Sequence, residues 1–169
     1  MDPSGKNAFI LLDPMGAGEH GHSALVVGNK DIGYQFMSMG TTGGDFSQIM
    51  SGKTLEGIDI LRGTSFESVI QRVHSADPVS RYTQVIEIPT STNQDKSMLK
   101  YADARSTQDA STGINYNLFT NNCADFVRNT LRAGGIQTDR HMMPNDYFKG
   151  VDAKADLPHY NRSVNGVKK

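Results

Sequence analysis

The stretch Tyr116–Gly135, YNLFTNNCADFVRNTLRAGG, carries the only cysteine of the 169-residue chain, Cys123, where a polar turn gives way to an amphipathic helix. From Asn122 to Ala133 the apolar residues Phe126, Val127, Leu131 and Ala133 recur at helical spacing, with Arg128, Asn129 and Arg132 on the other face. Asn121 or Asn122 can cap the start by accepting from exposed backbone N–H groups, and Gly134 with Gly135 makes a C-terminal stop. Cys123 therefore falls in the first turn. There the unpaired N–H groups and the positive end of the helix dipole favour a thiolate, and an adjacent imidazolium would lower the thiol pKa to roughly 3.5–7.5 from about 8.5. The same N–H groups are also where an oxyanion could be held after attack on a carbonyl. The plainer reading of a single cysteine is a small buried hydrophobe.

A second stretch, Gly21–Asn29, GHSALVVGN, shifts the balance. His22 opens an otherwise aliphatic run, Ala24 to Val27, and Gly21 and Ser23 leave room around its ring. Together the two stretches outline a nucleophilic cysteine with a histidine base.

With 17 basic and 18 acidic side chains the net charge is −1, which supplies no electrostatic footprint for nucleic acid or an acidic membrane. One cysteine excludes an intramolecular disulfide framework and a multi-cysteine zinc site. No apolar stretch is long enough to cross a bilayer as a helix, and the N-terminal MDPSGKNAFILLDPMGAGEH lacks the basic flank and cleavage site of a signal peptide. The expectation is a single catalytic domain spanning residues 1–169, made in the cytoplasm, with flexible ends at 1–6 and about 152–169.

Ala8–Leu12, His22–Gly28 and Ile32–Met39 read as strands, the last two forming an antiparallel hairpin through Asn29, Lys30 and Asp31. Residues 40–57, GTTGGDFSQIMSGKTLEG, read as a mobile loop, with Gly40, Gly43 and Gly44 as hinges of a flap. Its Gly52-Lys53-Thr54 ends like a phosphate-binding loop, but Ser47 stands where that motif needs its first glycine and no apolar strand precedes it. Thr64 to Glu67 fits a capping box opening a helix through about His74, with Phe66, Val69, Ile70 and Val73 buried. Tyr82–Ile88 alternates as a strand. Thr92 with Asp95 starts a further helix carrying Met98, Leu99, Tyr101 and Ala102.

Five segments taken together, GHSALVVGN, the strand ending in SMG, TNQDKSMLKYADAR, YNLFTNNCADFV and MPNDYF, resemble cysteine-hydrolase toxin domains of the papain-like, NlpC/P60-related class. Such domains occur in RHS-type polymorphic toxins and among type VI secretion effectors. The histidine strand precedes the cysteine helix, as in the circularly permuted branch of that class. The resemblance covers most of Gly21–Phe148. It implies an α+β fold with an antiparallel sheet packed against helices, Cys123 as nucleophile, His22 as general base and later acid, and an amide, isopeptide or ester substrate. It also implies a peptidoglycan peptide as a common target, a cognate immunity protein, and delivery by secretion machinery into a target cell. No cofactor and no metal are expected.

A third residue should orient the imidazole through its other ring nitrogen. A hairpin centred on Lys30 sets Ser38 opposite His22, on the face of Tyr34 and Phe36. Ser38 is the first choice, Gln35 the second and Asp45 an outside candidate; a simple dyad is the alternative. Asn121 and Asn122 are turn and cap residues, or amides that help hold an oxyanion. His20, close to His22 and Glu19, does not complete a zinc shell. His74, His141 and His159 rank below His22. The competing functions are an acyltransferase or lipid esterase, a protein deamidase with the same chemistry, and a binding domain without activity.

Overall fold

Seven consecutive residues, Ser23–Asn29, are buried in the strand that His22 opens. A strand buried on both faces reads as a continuous apolar run and must lie inside a sheet covered on each side. The computed structural model describes residues 7–41, 54–76, 82–112, 115–154 and 159–160. Its strands are β1 (Asn7–Asp13), β2 (His22–Asn29), β3 (Gly33–Thr41), β4 (Thr54–Gly63), β5 (Gln84–Pro89), β6 (Asn115–Tyr116) and β7 (His159–Tyr160). Its helices are α1 (Phe66–Ala76), α2 (Thr92–Thr112), α3 (Cys123–Ala133) and α4 (Pro144–Lys154). Among the described residues the strands form one antiparallel sheet in the order β6-β4-β3-β2-β1-β5-β7. The fold is α+β.

One face of the sheet presents Ile10, Leu12, Leu25, Val27, Met37 and Met39 to α2, α3 and α4, which answer with Met98, Ala102, Phe126, Val127, Leu131 and Tyr147. The other face presents Leu11, Ala24, Val26 and Phe36 to Val69, Ile70 and Val73 of α1. Each fully buried aliphatic or aromatic side chain here contributes about 1.5–3 kcal/mol. Two apolar layers thus clamp β1, β2 and β3, and the end of the sheet where β2 begins is held rigidly.

The structure corrects several boundaries. Ala24 pairs with Ser38 and Asn29 with Gly33, so the hairpin is centred on Asp31 rather than Lys30, and Ser38 stands opposite Ala24. Asn29 sets this register: its side-chain oxygen accepts from the N–H groups of Asp31 and Ile32 at 2.9 and 3.2 Å, closing a connection over Lys30–Ile32. β4 includes Thr54–Gly57, which the loop reading had absorbed, and pairs with β3 along its length. Residues 42–53, with Gly43, Gly44, Asp45, Gly52 and Lys53, lie outside the described residues. The box that opens α1 is Ser65 with Ser68, each hydroxyl accepting the other's N–H at 3.1 Å. Likewise Ser91 and Gln94 open α2, while Asp95 is buried and accepts from Asn29 at 2.9 Å and from Thr90. The region assigned to a polar tail contains the end of α4 and the strand β7, which pairs with β5.

Candidate active site

Asn122 builds the start of α3. It caps the helix in an extended conformation, its side-chain oxygen accepting from Ala124 and Asp125 N–H at 2.9 and 3.1 Å. Its amide donates to the carbonyls of Leu118 and Met142 at 2.6 and 2.8 Å. Every donor and the acceptor of this fully buried side chain are engaged, so no Asn122 N–H remains for an oxyanion. The first-turn N–H groups of Ala124 and Asp125 are engaged by the same cap. Asn121 accepts from Arg105 at 3.3 Å and bridges Asn117 through its backbone. Asn122 is thus a structural device that fixes Cys123 as the first residue of the helix.

Cys123 is buried. Its neighbour is His22, the first residue of β2, and each of the two side chains bears on the ionisation of the other. On the β1 side His22 pairs with Asp13, whereas the described ladder with β3 starts only at Ala24. That gap on the β3 side gives the imidazole room. Close approach is also needed from the turn before it, since a Cβ on Gly16 would lie 2.7 Å from the Cβ of His22. Gly21, with φ of 88°, is packed against Asn145 of α4, and Asn145 donates to the carbonyls of Pro14 and Glu19 at 3.2 and 3.0 Å. The turn that delivers His22 is therefore stapled to α4.

The electrostatics favour a charged pair. Burial pushes the Cys123 thiol up, but the neighbouring imidazolium of His22 and hydrogen bonds from His22 and Ser23 outweigh it, and the net direction is below the ordinary thiol value. Burial pulls the His22 imidazole down, but the Cys123 charge, their hydrogen bond, and the carboxylates of Asp13 and Asp59 hold it above its ordinary value. The two groups move in opposite directions because each stabilises the charged form of the other.

Ser38 lies on the far side of the ring, its Oγ 2.8 Å from His22 Nε2. With Nε2 on Ser38, Nδ1 is the nitrogen left for Cys123. In the imidazolium state Nε2–H donates and Ser38 accepts. The corrected register still permits this contact, because His22 splays from β3 and reaches Ser38 diagonally. Gln35 is directed elsewhere: it donates to Asp103 of α2 at 3.1 Å.

Three further residues surround the pair. Tyr116 is buried beside Cys123; burial, then the Cys123 charge, push its hydroxyl well above the ordinary phenol value, so it stays protonated. Ser23 is fully buried, its hydroxyl has no hydrogen-bond partner, and its polar groups favour the Cys123 thiolate. Tyr82 is buried with its ring 6.1 Å from that of His22. Tyr116 had a signal in the sequence, since Asn117 makes a turn by accepting from Phe119 and Thr120 N–H at 2.9 and 3.1 Å and so folds residue 116 back toward 123. Ser23 and Tyr82 had none beyond strand position.

The other histidines lie apart. His20 is exposed, and His141 packs over Gly150 of α4. Among the described residues no group of three His, Cys, Asp or Glu converges as metal ligands. A shallow groove of about 550 Å³ runs along α2, lined by Ile32, Lys96, Leu99 and Lys100; it includes no residue of the Cys123 site. Also among the described residues, no helix is long and apolar enough to cross a membrane. Comparison with protein-family profiles, curated proteins and solved structures found no match to this chain.

Proposed function

We propose that this protein is a cysteine hydrolase of the circularly permuted papain-like kind, a peptidase or amidase in which Cys123 is the nucleophile, His22 the base and Ser38 the residue that orients the imidazole. The observation that supports this most is a buried thiol at a helix start beside His22, whose ring Nε2 lies 2.8 Å from Ser38. In this reading the thiolate attacks the scissile carbonyl and the carbonyl π electrons move to oxygen. As the tetrahedral adduct collapses, the C–N bond breaks and His22 Nδ1 gives its proton to the leaving amine, so that a thioester remains. His22 then takes a proton from water; the resulting hydroxide adds to the thioester, the C–S bond breaks and the acid is released with Cys123 returned as thiolate. The Tyr116 hydroxyl is the donor best placed for the oxyanion, in the role first considered for the asparagines.

The substrate class proposed is the peptide of bacterial peptidoglycan, and the biological setting an antibacterial effector with a cognate immunity protein and a secretion-machinery partner. Both rest on the resemblance of GHSALVVGN and YNLFTNNCADFV to toxin domains. Mass spectrometry of peptidoglycan and its soluble muropeptides after incubation with the wild type and with Cys123→Ala tests the reading. New peptide fragments from the wild type alone are expected, with a loss of about 10⁴-fold or more in the variant. Identical spectra from the two proteins would overturn the peptidoglycan assignment.

A further inference from the structure

His22 and Ser38 do not end the hydrogen-bonded chain. The Ser38 Oγ, itself buried, lies 3.5 Å from the hydroxyl of Tyr82, a buried residue two positions before β5 in the chain. A serine hydroxyl is an ambiguous partner for imidazole, because it can donate to a neutral Nε2 or accept from Nε2–H. Only the second arrangement supports the imidazolium that the thiolate requires. The hydroxyl accepts when its own proton has somewhere else to go, and Tyr82 supplies an oxygen at the position facing away from the ring. Tyr82 also walls the site: its ring lies 6.1 Å from His22 at 42° and 5.9 Å from Phe36 edge-on.

We propose that Tyr82 is a positioning residue of the Cys123–His22 centre, its hydroxyl orienting Ser38 as the acceptor of His22 Nε2–H and its ring packing beside the imidazole. The proposal rests on the hydrolase reading above and adds a fourth member to the chain Cys123, His22, Ser38, Tyr82. In this arrangement Tyr82 acts on the imidazole rather than on the reacting atoms. Its influence therefore passes through Ser38, and because the 3.5 Å contact is long for an O–H···O bond, it is smaller than that of the 2.8 Å bond.

The charged and titratable groups acting on His22 are Asp13 from β1, Asp59 from β4 and Cys123 from α3. Substitution at 38 or 82 leaves them in place. Titration of the His22 ring nitrogens by NMR, in the full chain, reads the effect without any substrate. Ser38→Ala should weaken proton binding at His22 by about tenfold, and Tyr82→Phe by about threefold. The double variant should match Ser38→Ala alone, because Tyr82 acts through Ser38. A merely structural tyrosine would give a Tyr82→Phe titration coincident with wild type, or a shift that adds in full to that of Ser38→Ala; either overturns the proposal. Tyr82→Phe keeps the ring and removes one oxygen; Tyr82→Met, a flexible gap-filler, is the second variant should the first fail to fold. Cys123→Ala separates the two levels. If it leaves the His22 titration unchanged, the charged pair itself is absent and the hydrolase reading falls with the proposal. If it lowers proton affinity at His22 while Tyr82→Phe and Tyr82→Met do not, only the role of Tyr82 is wrong.

Discussion

Asn122, next to the proposed nucleophile, takes an architectural part in space. Its oxygen caps α3 and its amide ties the carbonyls of Leu118 and Met142, so one side chain joins the loop before the helix to the loop after it. Asn122→Ala removes a cap, which costs about 1 kcal/mol, and leaves two carbonyls short of a donor, at about 1–3 kcal/mol if both stay buried. A loss of about 2–4 kcal/mol in unfolding free energy is expected from denaturant titration, a change under about 0.5 kcal/mol being the contrary result. Gly16 presents the opposite case, a residue without a side chain whose absence is the function. Gly16→Ala would push a methyl into His22, and should lower turnover by more than tenfold together with a measurable fall in melting temperature. Cys123 and His22 were legible because a thiol at a helix start and an imidazole heading an aliphatic strand are both unusual in that context. Ser38 was reached through a register one residue in error. It survives because His22 leaves the β3 ladder, which no pairing arithmetic shows.

At the scale of elements, the β2–β3 hairpin determines where the site lies. Gly28 has φ of 145°, and a Cβ there would lie 2.0 Å from the carbonyl oxygen of Gly33. Gly28→Ala should cost about 2 kcal/mol or more through strain across the hairpin, measurable as a lower denaturation midpoint; an unchanged midpoint would contradict the register. The base of the same hairpin is anchored by Asp95, which accepts from Asn29 and Thr90 at the start of α2. Asp95 carried a helix-start signal in the sequence, yet its tertiary bonds claim it, and Ser91 with Gln94 does the capping instead. β1, β2, β3, α1 and α3 were legible because apolar period or cap chemistry is strong in each. β4 was not. In TLEGIDILRG a glycine and three charged residues interrupt the alternation, and the strand exists because β3 offers it a partner along its length rather than by its own pattern.

On the scale of the whole molecule, the sheet separates two apolar layers and the site sits at its end, where α3 starts on one face and Ser38 and Tyr82 lie toward the other. This placement could not be read from either stretch alone, since it depends on which face each helix covers. Because the pair holds Cys123 below and His22 above their ordinary values, the reactive form exists between those two limits. Activity should rise with pH as the thiol ionises and fall as the imidazolium loses its proton, a bell whose limbs both move when either partner is altered. A rate that climbs monotonically through the ordinary thiol range would contradict it.

The central claim is that His22 converts a buried thiol into a thiolate. Because Cys123 is the only cysteine in the chain, the ultraviolet thiolate absorbance of the wild type, taken as a difference from Cys123→Ala, reports it alone and needs no reagent to reach a buried sulfur. Titrated against pH, this signal should appear below the ordinary thiol range in the wild type. In His22→Ala it should move to or above that range, since the imidazolium, the largest influence opposing burial, is then gone. A wild-type midpoint in the ordinary range, or one that His22→Ala leaves in place, would contradict the charged pair and the chemistry built on it.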